Sequence, residues 1–148
     1  EISKQHQLVA TALDHINDIV EITDSHATIL YVNPAVHRVM GYTPAEVRGN
    51  FASMFRPSHL TTENYQEVHR ELGKKQMWKG EFLAQRKDGS ICSQEVIITP
   101  IVNNENQIVN HVAIKRDITE RKRAEKELLE LNQELERRID ERTQELQN

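Results

Sequence analysis

Few side chains in this sequence are placed for catalysis. Its seven histidines stand at positions 6, 15, 26, 37, 59, 69 and 111, and no two share metal-ligand spacing on one helix. There is no phosphate-binding glycine loop, no Cys-x-x-Cys and no His-Glu-x-x-His. Nor is there a kinase catalytic motif or a phospho-acceptor context, so this stretch is not read as an enzyme. Cys92 is the single cysteine; it excludes an intramolecular disulfide and fits a reducing compartment. Lying in a β-branched run, it reads as a small buried residue and not as a redox switch. The densest local signal is Asp117-Ile118-Thr119-Glu120. Asp117 suits a helix N-cap, Glu120 three residues later completes a capping box, and Thr119 adds a second hydroxyl. This segment therefore joins the last strand to the final helix without a flexible linker, a geometry that would let strand movement drive the helix. The plainer alternative is an ordinary cap, contributing roughly 1 kcal/mol.

The elements around that junction follow from period and punctuation. Ile2, Leu8 or Val9, Ala12 or Leu13 and Ile16 recur at helical spacing over roughly residues 1–16. Ile19–Thr23 and Thr28–Val32 read as a hairpin, and Asn33-Pro34 as a helix start with Asn as N-cap. Ala35, Val36, Val39 and Met40 form the apolar face of that short helix, which Gly41 ends. Thr43-Pro44-Ala45-Glu46 is a second start, with a capping box. Residues 49–57 are irregular, with Phe51, Met54 and Phe55 expected inside. A helix follows over about 60–72, with Tyr65, Val68, His69 and Leu72 on its inward side. Strands are expected at 77–86, 91–101 and 108–115, the first two joined by the Asp88-Gly89 turn. Two strands, a group of helices and three strands argue an α+β fold with an antiparallel sheet and helices on one face.

Composition agrees. The 148 residues suffice for one domain with a core. The net charge of −4 is no footprint of nucleic-acid binding. No apolar run reaches membrane-spanning length and no secretory signal is present, so a cytoplasmic location is expected. The chain reads as a piece of a longer protein.

From Asp117 onward ten acids and seven bases accompany one apolar stripe: Ala124, Leu128, Leu131, Leu135, Ile139, Arg142 and Leu146. Its gaps run 4-3-4-4-3-4, a heptad with a stutter, and eleven-residue spacings of this kind straighten a left-handed supercoil. The stripe is too narrow for a buried helix, and a helix this polar is marginal alone. A parallel two-stranded coiled coil buries the stripe and leaves the charges wet; the alternative is a solvated helix folded back on its own domain. Arg142 weakens the seam locally. The first helix is a second dimer contact, or else covers the open face of the sheet. Expected boundaries are therefore 1–16 for that helix, 17–117 for the domain and 118–148 for the signalling helix.

Five stretches carry a family resemblance: Ile29-Leu30-Tyr31-Val32-Asn33-Pro34-Ala35, residues 41–49 (Gly-Tyr-Thr-Pro-Ala-Glu-Val-Arg-Gly), Trp78-Lys79-Gly80-Glu81-Phe82, Arg86-Lys87-Asp88-Gly89-Ser90 and Arg116-Asp117-Ile118-Thr119-Glu120-Arg121. In this order and spacing they resemble a PAS domain, the sensory module of bacterial signalling proteins. The likeness spans about Leu8 to Arg121. The tail is similar to the helices by which such domains reach a histidine kinase or, less often, a diguanylate cyclase. The resemblance implies a five-stranded antiparallel sheet, a pocket between sheet and helices, and homodimerisation; the mechanism expected from the junction is signalling to a C-terminal output domain through a shift between two dimer arrangements.

Period and family position together name Ile22, Val36, Met40, Phe51, Phe55, Leu72, Phe82 and Ile97 as lining a small-molecule pocket, or else simply filling a core. Haem-binding members take an axial His from the helix over 60–72, which points to His69, with His59 second; the alternative is an ordinary hydrogen-bonded histidine. Trp78 occupies the place of a Trp that lines a flavin pocket in redox-sensing relatives, with Asn33 and Asn50 at the flavin edge; the alternative is that Trp78 is core. No cofactor is predicted, and flavin or haem stands as the alternative. The flavin–cysteine photochemical branch needs a Cys within residues 49–53, and this sequence has none.

Overall fold

The computed structural model describes residues 2–57 and 63–147, with side-chain environments described for 3–57 and 66–147. Its elements run α1 (Ile2–His15), β1 (Ile19–Asp24), β2 (Ile29–Val32), α2 (Ala35–Met40), α3 (Pro44–Val47), α4 (Glu63–Gly73), β3 (Trp78–Gln85), β4 (Ile91–Val102), β5 (Ile108–Asp117) and α5 (Thr119–Gln147), with a 3-10 turn at Ala52–Phe55. The strands form one antiparallel sheet in the order β2-β1-β5-β4-β3. The chain divides into two compact units, Glu1–Asp117 and Ile118–Asn148.

Hairpin chemistry fixes the register of β3 and β4. Gly89 sits at φ +90, where a Cβ would be strained. Its N–H donates to Arg86 O at 2.9 Å, while Arg86 N donates to Ser90 O at 2.8 Å. This is a three-residue loop with a left-handed glycine, and it brings Trp78 opposite Ile98 and Ala84 opposite Cys92. Opposite β3–β4, Ile29, Val32, Ala35, Val36, Met40, Val47 and Phe55 gather with Ile19, Ala84 and Cys92 into the main core. A second cluster joins Val68 of α4 to Trp78 and Val96.

Asn33 plays a different part from the N-cap expected of it. The N-cap position of α2 is Pro34, with no side-chain hydrogen bond. The Asn33 amide turns the other way: its oxygen accepts from Val20 N at 2.9 Å, and its nitrogen donates to Asp18 O at 2.9 Å and Leu13 O at 3.1 Å. The backbone pair is reciprocal, Asn33 N donating to Val20 O at 3.0 Å. A buried Val20 N–H without an acceptor would cost more than a weak cap returns, so the amide goes there. The expected capping box at Thr43 is present: Thr43 Oγ1 accepts from Glu46 N, and Glu46 Oε1 accepts from Thr43 N.

Helix α1 does not cover the sheet. Leu8 and Val9 are 71% and 58% exposed, and Leu13 is half-buried. Phe51, expected inside, is 61% exposed; its backbone instead bridges Thr28. The helix expected over 60–72 is seen from Glu63; Leu60 lies outside the described residues, and nothing is described of the Tyr65 side chain.

Replacing Asn33 by Ala should remove an acceptor from a buried N–H and release the last turn of α1, at a cost of roughly 2 kcal/mol. Chemical denaturation measures the loss, and amide exchange at Val20 should accelerate by more than the global change. Unchanged stability would mean that the amide does not bind the two segments together.

Candidate functional site

A cavity of about 630 Å³ opens between the sheet and the helical side. Its floor is set by strand alternation. Residues of one parity face it: Glu21 and Thr23 from β1, His111, Ala113 and Lys115 from β5, Gln94, Val96 and Ile98 from β4, and Phe82 and Ala84 from β3. The ladders make this one surface, pairing Glu21 with Ala113, Thr23 with His111, Ala113 with Ile98 and Lys115 with Val96. Val68, His69 and Leu72 of α4 and the Phe51–Arg56 segment supply the walls.

Of the residues expected to line a pocket, Phe51, Phe55, His69, Leu72 and Phe82 do so. The others lie elsewhere. Ile22 and Ile97 have the opposite parity and face away; Glu21 and Thr23, Val96 and Ile98 take the floor. Val36 and Met40 are fully buried in the main core, where Met40 Sδ accepts from Gln94 Nε2 at 3.3 Å and from Cys92 Sγ at 3.8 Å. Asn33 is spent on backbone groups, and Asn50 donates to Glu46 O at 2.7 Å. Trp78 packs in the second core cluster, 4.9 Å from Phe82 between ring centroids. Its indole lies over Gly80, where a Cβ would come within 2.4 Å of the ring. It therefore belongs to the core and is not a wall of the cavity. His69 lines the cavity but is exposed, not inward as expected. His59 lies outside the described residues. Among the described residues no three His, Cys, Asp or Glu side chains gather as a metal site.

The polar floor was not foreseen. Glu21 and Lys115, with side chains 3% and 12% exposed, form an ion pair at 3.1 Å, and Lys115 Nζ also stands 4.8 Å above the Phe55 ring. Low exposure removes most of the solvent screening that weakens surface pairs. The signal was present: an acid inside Ile-Val-Glu-Ile and a base inside Ala-Ile-Lys are opposite charges within two apolar strands, diagonal neighbours once β1 pairs β5. Burial pushes the His111 imidazole below the ordinary histidine range, and its Nε2 is enclosed without a partner among the described residues.

A second arrangement lies at the end of β5. Arg86 donates to Val39 O at 3.0 Å, Ser90 Oγ at 3.2 Å and Asp117 Oδ2 at 3.1 Å. One guanidinium so ties the C-terminal end of α2, the β3–β4 loop and the last residue of β5. Next to it Lys87 N donates to Met40 O at 2.9 Å, and Lys87 Nζ meets Glu46 at 2.7 Å. The Lys87 partner, followed by the Thr43 amide, holds the Glu46 carboxyl below the usual carboxylate range. Ile118 is the single residue between β5 and α5; Thr119 opens α5 and Glu120 stands in its first turn.

In α5 the stripe residues are exposed: Leu128 59%, Leu131 55%, Leu135 45%, Ile139 63% and Leu146 82%, with Ala124 and Arg142 also exposed. At about 100° per residue they stay on one face. Glu134, Arg137, Arg138 and Glu141 form an ion-pair network beside it. Arg137 and then Arg138 draw the Glu134 carboxyl down to about 2.

Comparison with known proteins agrees with this geometry. The nitrogen fixation regulatory protein of Klebsiella oxytoca is 31% identical over 119 residues, 80% of this chain and 24% of that protein. Sporulation kinase C of Bacillus subtilis is 27% identical over 129 residues, 84% of this chain and 29% of that protein. The chain thus spans about a quarter of the length of these relatives. The crystal structure of a PAS domain from Colwellia psychrerythraea superposes with a TM-score of 0.72 at 29% identity, over 81% of this chain and 99% of that one. Residues 17–120 match the family model described as PAS domain. With its five-stranded antiparallel sheet and flanking helices, this chain belongs to the PAS domain family.

Proposed function

We propose that this chain is the sensory module of a larger signalling protein: it takes up a small ligand in the sheet-lined cavity and passes the change through α5 to an output domain, a histidine kinase. The observation that carries this reading is the pairing of a ligand-sized cavity with a 29-residue helix that begins two residues after the cavity's own floor strand ends. Strand β5 supplies Ala113, Lys115 and His111 to the floor and ends at Asp117. The kinase among the relatives supports the choice of output. No described helix is long and apolar enough to cross a membrane, and the reading places the module in the cytoplasm.

The active unit is a homodimer in which two α5 helices form a parallel coiled coil through Ala124, Leu128, Leu131, Leu135, Ile139, Arg142 and Leu146. Ligand binding shifts the balance between two dimer arrangements, by as much as the ligand's affinity differs between them. Asp117, Ile118, Thr119 and Glu120 form the coupling segment, with Arg86 holding Asp117 to the domain and Ile118, not Asp117, at the position before the first residue of α5.

Oxidative cross-linking tests the pairing in a Cys92→Ser background. Leu135→Cys should form a disulfide with itself in a second copy, because a parallel register sets equal residues face to face. Gln133→Cys, on the opposite side of the helix, should not. A chain that sediments as a monomer at tens of micromolar, or equal cross-linking at both positions, would refute the parallel dimer.

Asp117→Ala tests the coupling. The Arg86–Asp117 pair is about a quarter exposed on each side, so the domain should lose no more than about 1 kcal/mol. In the full-length protein the same change should abolish the response of output activity to the signal. Loss of folding in place of loss of response would assign Asp117 a structural role only.

A further inference from the structure

The charges around the cavity are engaged with one another. Glu21 is the one acid among the described lining residues, and Lys115 pairs with it at 3.1 Å. Arg56 has an interaction partner as well. A charged ligand would enter a space whose described opposite charges are already taken, and a charge that leaves water without a partner is strongly disfavoured. Much of the remaining lining is apolar: Ala113 of β5, Val96 and Ile98 of β4, Phe82 of β3, and Val68 and Leu72 of α4. Gln94, a polar exception on β4, gives its amide to the Met40 sulfur. The space therefore suits an uncharged, mostly apolar molecule.

One floor residue adds a direction to that preference. His111 lies opposite Thr23 in the β1–β5 ladder, next to the pair of Asp24 with Asn110. Its ring lines the cavity and makes a hydrogen bond to the Asp24 backbone, of the kind that favours a ring N–H. Nε2 is enclosed and meets no partner among the described residues, so the bond to Asp24 belongs to Nδ1–H. Burial keeps the imidazole neutral, and a neutral imidazole carries one N–H and one acceptor nitrogen. With the proton on Nδ1, Nε2 is the acceptor. A ligand ether, carbonyl or carboxylate oxygen placed against it would set lone pair against lone pair. A ligand O–H would satisfy it, and proteins seldom leave an enclosed polar atom unpaired.

We propose that the cavity binds an uncharged amphiphile bearing a hydroxyl group, its O–H donated to His111 Nε2 and its apolar body over Val96, Ile98 and Phe82 toward α4. Three independent features select this class. The engaged charges disfavour ions, the apolar strands and α4 take up a hydrocarbon body, and the orientation of the imidazole proton asks for a donor in place of an acceptor. The hydrogen bond forms on β5, the strand that ends at Asp117. This inference deepens the sensory reading of the cavity given above and rests on it.

Calorimetric titration of the 148-residue chain with octanol, heptyl methyl ether and octanoate is the test. The alcohol and the ether contain the same atoms and differ in the O–H. Octanol should bind about tenfold more tightly than the ether, as one hydrogen bond to an enclosed acceptor implies, and octanoate should bind more weakly than octanol. His111→Phe should abolish the preference for octanol over the ether while leaving the ether within about twofold. His111→Gln offers both a donor and an acceptor, so it should narrow the preference, and it carries the test if the Phe variant does not fold by circular dichroism. Nitrogen NMR of the histidine-labelled chain should find Nε2 without a proton, its resonance moved by octanol and left in place by the ether. Ether binding as tightly as octanol, or a protonated Nε2, would overturn the hydroxyl while leaving a ligand cavity in place. Octanoate binding more tightly than octanol would overturn the uncharged class. A preference unchanged in the His111 variants would overturn the placement of the hydroxyl. Binding of none of the three would overturn both this inference and the cavity's sensory role.

Discussion

The Glu21–Lys115 pair sets the character of the domain. It joins residues 94 apart in sequence, in the middle of the sheet where β1 meets β5. Two charges that leave water need each other, and removing one partner of such a pair is far more costly than replacing both with apolar groups. A domain selected only for stability would do as well with two aliphatic side chains there. The pair is itself covered from the helical side, where the Phe55 ring stands 4.8 Å from Lys115 Nζ. The main core lies beside the cavity on the same face of the sheet, where Ile29, Val36 and Met40 pack with Ile19, Ala84 and Cys92, and the cavity extends from Glu21 and Thr23 of β1 to Phe82 of β3.

The same strand pairing puts β5 both under the cavity and at the end of the domain, before α5. β4 pairs it along nearly its whole length and β1 from Asn110 to Lys115, so His111 and Lys115 both stand on an interior stretch of the strand. In the proposed mechanism a displacement there travels along the strand to Asp117, where Arg86 holds the strand end to the β3–β4 loop and to the end of α2. The Arg86 network links the part of the fold built from helices with the strand that leaves the domain, and it uses a partly exposed pair, weak enough to yield to a change in either.

The elements were legible in the sequence because their punctuation was strong. Gly41, the Thr43–Glu46 box and the Asp88-Gly89 turn each state a boundary in local chemistry, and the structure keeps all three. The faces of the strands were not. Alternation assigns the apolar residues to the inside, yet here Ile22, Ile97, Val112 and Ile114 share the outer face while Glu21, Thr23, Gln94 and Lys115 turn inward. With aliphatic residues on one face and polar ones over a cavity on the other, period-2 reasoning chose the wrong parity, and Ile22 and Ile97 were assigned to the pocket in place of their neighbours. Asn33 was misread for a related reason. Asn before Pro is a good helix cap on local grounds, but the demand of the Val20 N–H comes from a strand thirteen residues earlier, and local pattern carries no trace of it.

Helix α5 poses the opposite problem, since everything about it is local except its reason to exist. Its ion pairs, such as Glu134 with Arg137 and Arg138, support a helix by a few tenths of a kcal/mol each and screen away in salt. Five large aliphatic residues on one stripe remain in water, and each would gain on the order of 1 kcal/mol or more from burial. In the proposed dimer this seam is short, interrupted by Arg142 and irregular in its spacing, so it would pair two helices without strongly favouring a single register. For the proposed signalling role that balance matters: a deep, regular coiled coil would hold one arrangement against a small ligand, whereas a shallow one would let a difference of about one or two kcal/mol shift the populations of neighbouring arrangements roughly 5- to 30-fold.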